Sequence, residues 1–357
     1  MTFILSGIII NLNDGKEENK MKQLLGKNKK FYKANLHAHT TLSDGRLTPE
    51  ELKNEYKKRG YSIVAYTDHE HIIAHPELND ENFLTITSCE LAIKEDPHAS
   101  TAKKTNLKTC HLNFYALDPE NTVTPFYSPV YDHFLKDEIK DLISYEGEYT
   151  REYTPEAINK MIEEGKKLGF IVSYNHPGWS LEDAGIYLNY DGFFTLEIFN
   201  TGCVRMGIAD DEHVYDEMLR MGKRIFCSAC DDNHNAHPID SPKCDSFGGW
   251  VQIDAPALEY SAIMNALIEG DFYASTGPEI YSLSVDEGKV KIKTSPATKI
   301  SIIPQGRSTR TVYGNSIGEE ITEAEFALRP DDDYFRIRVE DKYGKKAYTR
   351  AYFTDEE

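Results

Sequence analysis

The chain has 357 residues, 40% hydrophobic and 28% charged, the make-up of a water-soluble globular protein long enough for two domains. Its net charge of −19 argues against nonspecific binding to nucleic acid or an anionic membrane, though not against an anionic substrate at a metal centre. No run reaches the length of a membrane-spanning helix, and six cysteines are too few for a disulfide scaffold, so the expected setting is reducing and cytoplasmic.

The apolar start M-T-F-I-L-S-G-I-I-I lacks a basic n-region and an A-x-A-like cleavage site, so it does not read as a signal peptide. Residues 1–30 read as an N-terminal extension, with Met21 an alternative start of the folded part. From residue 31 a pattern repeats: a β-rich run ends in a ligand-type residue, then a helix or loop follows. F-Y-K-A-N-L-H-A-H ends in His37 and His39, which share one face of a strand. The S-D-G turn places Asp44 just beyond. T-P-E-E at 48–51 supplies a Thr cap, a Pro at the first helical position and a Glu three residues on, and the helix closes at Gly60. Y-S-I-V-A-Y-T-D-H ends in Asp68 and His69, F-L-T-I-T-S-C-E ends in Glu90, and T-C-H-L-N-F-Y-A-L carries His111 near its start. A second capped helix spans 154–169. G-F-I-V-S-Y-N-H-P-G then ends in His176, G-F-F-T-L-E-I-F-N ends near Glu197 and Asn200, and K-R-I-F-C-S-A-C-D-D-N-H ends in Asp231, Asp232 and His234.

Strands alternating with helices predict parallel βα units, with functional groups at strand C-termini, as in a βα barrel or a doubly wound sheet. Seven such runs favour barrel-like closure. Segments 94–109 and 118–150 read as insertions over the strand ends. After Pro278 the pattern becomes short alternating runs separated by turns, which predicts a small Ig-like antiparallel β-sandwich. The fold class is therefore α/β, a barrel over 31–279 followed by a β-sandwich over 280–357. Cys227-S-A-Cys230 lies within a strand-like run, so core thiols are favoured over a redox or zinc motif.

Nine N/O donors fall at comparable points: His37, His39, Asp44, His69, Glu90, His111, His176, Asp232 and His234. That exceeds the needs of one zinc ion and suits two or three divalent ions, Zn, Mn or Fe, with a bridging carboxylate. Sites of that kind clamp a phosphoryl group and generate hydroxide at neutral pH.

H-A-H-T-T-L-S-D-G, T-D-H-E, the isolated Glu90, His111, N-H-P-G and D-D-N-H together resemble the ordered motifs of the PHP (polymerase and histidinol phosphatase) superfamily, across roughly 31–280. G-D-F-Y-A-S-T-G-P at 270–278 and the trailing β-region resemble its CehA/McbA-like branch. The resemblance implies a distorted (β/α)7 barrel with a trinuclear site. It implies one ion on His37, His39, Glu90 and Asp232, a second on Glu90, His111 and His176, and a third on Asp44, His69 and His234. Asp44 stands where some members carry histidine, and Asp231 competes with Asp232 for the last motif.

Asp68, Asp232 and His234 are the candidate catalytic residues. Asp68 either supports His69 from behind or caps the strand end. Glu197 and Asn200 either support the donors from behind or line the barrel, with lining favoured. Arg46 and Lys243 could neutralise a phosphate oxygen, although a solvated side chain is the commoner fate of each. Trp179 is placed at the cleft wall and Trp250 in packing. His71, His75, His98, His133, His213 and His237 are expected in loops or at the surface.

The leading expectation is a metal-dependent phosphoesterase acting on a small-molecule phosphoester through metal-bound hydroxide, with no nucleic acid or membrane partner. The alternatives are hydrolysis of a carboxylic ester, amide or carbamate by the same centre, and a metal-bound binding or regulatory module. Completeness of the ligand set weighs against the last.

Overall fold

The computed structural model describes residues 21–100 and 105–354; most of the N-terminal extension read above lies outside them. Residues 22–25 form β1 (Lys22–Leu25), which precedes β2 (Phe31–Asn35). Helix α1 (Pro49–Lys57) begins as its sequence predicts. Thr48 accepts from the Glu51 amide while Glu51 accepts from the Thr48 amide, a reciprocal cap. The chain continues through β3 (Ile63–Tyr66), β4 (Leu84–Lys94), β5 (Thr109–Ala116) and the short strands β6 (Val123–Thr124) and β7 (Ser144–Tyr145). Helix α2 (Pro155–Lys167) is capped by Thr154, which accepts from the Ala157 amide. There follow β8 (Phe170–Asn175), α3 (Ala184–Tyr187), β9 (Thr195–Asn200), α4 (Thr201–Arg205), α5 (Glu212–Arg220), β10 (Phe226–Cys230), β11 (Trp250–Asp254), α6 (Tyr260–Glu269) and β12 (Phe272–Ser275).

The seven runs read from the sequence are β2, β3, β4, β5, β8, β9 and β10, and they are neighbours in one sheet ordered β10-β9-β8-β5-β4-β3-β2-β11-β12. One expectation needs correction. The strands are not uniformly parallel: β5 runs antiparallel to both β4 and β8. The cause is local. The chain after Glu90 continues as L-A-I-K, so β4 runs on to Lys94 and turns back on β5 with Lys94 opposite Thr109. A strand that turns back to pair directly with its predecessor makes an antiparallel pair. Glu90 therefore sits inside a strand, opposite Asn113, not at its end. Closure into a barrel is not shown by the strand pairing. Among the described residues no continuous ladder joins β10 to β2; their ends meet at the Ala38–Asn233 bridge. The result is a mixed α/β fold with one large sheet.

The C-terminal strands are β13 (Ile280–Asp286), β14 (Lys289–Ala297), β15 (Lys299–Pro304), β16 (Arg310–Tyr313), β17 (Ile321–Ala327), β18 (Tyr334–Glu340), β19 (Lys346–Thr349) and β20 (Tyr352–Phe353). Strands β1, β13, β14 and β17 form a separate antiparallel sheet. Strands β15, β16, β18, β19 and β20 extend the large sheet through the β12–β19 pairing. Leu283, Ile292, Ile300 and Val339 bury their side chains between these two layers, joined by Leu24 and Leu25 of β1. Elsewhere, α2 and α5 pack Met161, Ile162, Met218 and Leu219 against Val172, Leu196 and Ile198, so helices cover the outer face of the strands that carry the donors. Arg336 of β18, fully buried, binds Asp216 and Glu212 of α5 at 2.8 and 2.9 Å and ties the C-terminal layer to that helix. All six cysteines are buried free thiols, Cys227 and Cys230 on β10 among them.

Candidate metal centre

His37 and His39 leave β2 side by side, with their Nε2 atoms 3.1 Å apart. The backbone there is stitched to the end of β10. The Asp232 amide donates to the His37 carbonyl at 3.0 Å and the His39 amide donates to the Asn233 carbonyl at 3.1 Å. Two distant parts of the chain thus deliver three donors to one point. Asp68 does not enter the cluster. Its carboxylate accepts from the Thr40 amide, the Thr40 hydroxyl and the Ser43 hydroxyl at 2.7, 2.8 and 2.7 Å, shaping the turn that presents Asp44. Gly45 is required in that turn, because a Cβ there would lie 2.5 Å from the His39 carbonyl oxygen.

Glu90 is the hub. Oε1 lies 3.2 Å from His37 Nε2, 3.1 Å from His111 Nδ1 and 3.4 Å from His176 Nε2. Oε2 lies 3.4 Å from His39 Nε2 and 3.1 Å from His69 Nδ1. Asp232 Oδ1 approaches His39 and His37 at 3.1 and 3.2 Å. Asp44 Oδ1 stands 3.3 Å from His234 Nε2, and its Oδ2 3.8 Å from His69 Nε2. Among the described residues the donor atoms fall into four sets, each with all atoms within 4.8 Å of one another: His39, Asp44, His69 and His234; His37, His39, Glu90 and Asp232; Glu90, His111 and His176; and His37, His176 and Glu197. All nine expected donors are brought together. Where the sequence separated Asp44, His69 and His234 from His39, the geometry adds His39 to that set.

The protein's own electrostatics show what these groups lack. Burial opposes charge on His39, yet hydrogen bonds to Asp232 and Glu90 hold its pKa up at about 10. His37 is pushed well above the ordinary range, burial being outweighed by Asp232, Glu90 and Glu197. Glu90 and Asp232 lie well below the carboxylate range because the surrounding imidazoles outweigh their burial. His69 moves the other way, lowered by burial and by the charge of His39. Protons thus stand in for cations. His39 Nδ1 is buried without a hydrogen-bond partner, as is His69 Nδ1, which lies near Glu90 but outside hydrogen-bond alignment. Clustered, mostly buried carboxylate and imidazole donors with orphaned nitrogens fit divalent ions.

Residues around the donors fix their orientation. Glu197 Oε1 lies 2.6 Å from His37 Nδ1, so the expected barrel-lining glutamate instead orients a donor ring. Asn200 donates to both Glu197 and Asp232 at 3.0 and 3.1 Å, and Asn175 donates to Glu90 at 2.9 Å. Asp231, the competing choice, is consumed elsewhere: it accepts from Tyr56, Thr201 and the amides of Phe247, Gly248 and Gly249. Behind Glu90, Glu70 pairs with buried Arg151 at 2.6 Å, and Arg151 also donates to the Ala92 and Phe126 carbonyls. Glu70, His176 and Asp232 adopt positive φ of 68°, 30° and 52°, a region that non-glycine residues seldom occupy and that concentrates at functional sites.

The donors open into a cavity of about 350 Å³ whose walls include Lys94, Lys108, Phe134 and Trp179. Trp179 stands at the wall as expected. Arg46 and Lys243 do not line the cavity; the lysines there are Lys94 and Lys108, the second paired with Asp183 at 2.6 Å. His71 and His75 lie in loop segments, as expected, but are buried: His71 Nδ1 donates to the His69 carbonyl and His75 pairs with Glu77. Trp250 packs within the fold against Tyr61, with Lys33 over its ring.

No family model and no curated protein matches the sequence. Among solved structures, a chain from Bacteroides vulgatus ATCC 8482, described as a two-domain protein containing a predicted PHP-like metal-dependent phosphoesterase, superposes with a TM-score of 0.43 at 13% identity, covering 94% of this chain and 100% of that one. A chain from Bifidobacterium adolescentis ATCC 15703, provisionally described as a metal-dependent phosphoesterase, gives 0.37 at 17% identity over 59% of this chain and 91% of its own. An amidohydrolase from Chromobacterium violaceum, with bound sulfate and no metal, gives 0.36 at 15% identity over 59% and 93%. At 13–17% identity and TM-scores of 0.36–0.43, these likenesses assign neither family nor activity to this chain.

Proposed function

We propose that the chain is a metal-dependent phosphoesterase of the PHP type, CehA/McbA-like, with a barrel over residues 31–279 and a β-sandwich over 280–357. The observation that carries the reading is Glu90, whose two oxygens reach five imidazoles within 3.4 Å and which belongs to two of the donor sets. His37, His39, Glu90 and Asp232 would hold one ion, Glu90, His111 and His176 a second, and His39, Asp44, His69 and His234 a third. Divalent ions, Zn, Mn or Fe, supply Lewis acidity toward phosphoryl oxygens and lower the pKa of water at such a centre.

The rest is done by the chain. Glu197, Asn175 and Asn200 lock the ring and carboxylate orientations, so the donors meet substrate without rearranging. The side chains of His37, His39 and His176 are 2% exposed or less, whereas His234 is 33% and Asp44 44% exposed. Asp44 and His234 therefore form the edge of the cluster that a substrate meets first. Asp68 holds the Thr40–Ser43 turn and acts on substrate only through the position of Asp44.

The test is metal analysis of protein purified without chelator, followed by a panel of phosphomonoesters and carboxylic esters. Metal-dependent phosphoester turnover is expected, with metal and activity both lost in His37→Ala and His176→Ala. Turnover of carboxylic esters alone, or wild-type phosphoester turnover in variants that have lost metal, would overturn the reading.

A further inference from the structure

We propose that the cavity selects an ester whose departing group is a planar aromatic ring, held between Trp179 and Phe134. The chemistry of the step rests on the phosphoesterase reading; the binding preference does not. Phe134 arrives from the insertion between β6 and β7, and its ring centroid lies 4.4 Å from that of His69. Trp179 follows His176 by three residues and packs 5.1 Å from His176 and 5.3 Å from His111. One aromatic ring thus stands beside the donor set containing His69, and the other beside the set containing His111 and His176. Both rings line the same cavity as the donors.

Trp179 is 37% exposed, and the cavity it lines sets Leu107 and Phe134 beside the charged and imidazole groups. Leaving an indole wet is unfavourable, and a wholly polar ligand would not cover it. A ring carried on the ester would bury that face against Trp179 and the face or edge of Phe134 while its phosphoryl group reaches the donors. In the step, a water oxygen bonds to phosphorus and the P–O bond to the aryl oxygen breaks, its electron pair leaving on that oxygen. The products are a phenol and inorganic phosphate, which share the protons of the water.

The experiment is calorimetric titration of metal-loaded protein with phenylphosphonate and with methylphosphonate, neither of which can be hydrolysed at phosphorus by this route. The wild type is expected to bind phenylphosphonate roughly tenfold more tightly. In Trp179→Ala and Phe134→Ala the ratio should fall toward one, with metal content checked in each, and Trp179→Phe should restore most of it. Equal affinity for the two ligands in the wild type, failure to bind either, or an undiminished ratio in Trp179→Ala would overturn the inference. Turnover of phenyl phosphate in the same preparation reports separately on the reaction: preferential binding without turnover would sink the phosphoesterase reading and leave the aromatic preference standing.

Discussion

Glu197 and His37 form a buried pair, Oε1 to Nδ1 at 2.6 Å, with both side chains closed to solvent. Nδ1 is occupied by the carboxylate, so Nε2 is the nitrogen turned toward Glu90 and Asp232. A carboxylate that fixes a donor histidine is commonly worth roughly 10–100-fold in metal affinity. Glu197→Gln should weaken metal retention by about that factor, read by competition against a chromogenic chelator. Unchanged affinity would mean that His37 is held by packing alone.

Metal loading should release protons. The pKa of His39 stands at about 10 in the metal-free protein, above its ordinary 6.5, so at pH 7 the ring is protonated. A ligand nitrogen must be free, so binding displaces that proton and affinity rises with pH. The same raised pKa stabilises the metal-free fold fully below about pH 6.5, and this contribution is lost as pH rises toward about 10. Calorimetry in buffers of different ionisation enthalpy should show net proton release at pH 7.

Arg151 and Glu70 are an ion pair with side chains 0% and 2% exposed. Arg151→Ala would strand the Glu70 carboxylate in the interior, at a cost of about 3–5 kcal/mol. Urea unfolding should register that loss, and the double variant Arg151→Met, Glu70→Gln should recover much of it. Equal stabilities for the single and double variants would show that backbone contacts, not the charge pair, dominate.

How much of this was legible beforehand follows from the kind of signal each residue carries. Runs ending in His, the S-D-G turn and the D-D-N-H stretch marked most of the nine clustered side chains, because a strand end next to a turn leaves a local mark, although Glu90 sits within its strand and His111 near the start of its own. The direction of β5 left none, since it depends on L-A-I-K pairing with a segment fifteen or more residues on. The role of Glu197 was equally hidden: its partner His37 is 160 positions away, and a buried glutamate on a strand looks the same whether it lines a wall or holds a ring. The burial of His71 was missed because T-D-H-E-H reads as a polar loop. The left-handed turns at His176 and Asp232 carry no glycine to announce them.

Glu212 supplies a handle on the C-terminal layer. Despite burial, Arg336 and Arg338 lower its pKa from 4.5 to about 2. A depressed carboxylate stabilises the fold above its unfolded pKa, and the contribution is lost as pH falls through the folded one. The stability advantage of the wild type over Glu212→Gln should therefore be constant above about pH 5 and shrink as pH falls toward 2. An advantage independent of pH would assign the effect to shape and not to charge.

The ladder between β12 and β19 joins Tyr273, Ala274 and Ser275 to Thr349, Tyr348 and Ala347. Severing the chain near residue 280 would strip this flank of its partners and expose a row of bare amides and carbonyls. Such a rim recruits strands from other molecules. A shortened chain would thus tend to precipitate with its metal donors intact, and insolubility of the fragment would say nothing about whether its chemistry survives.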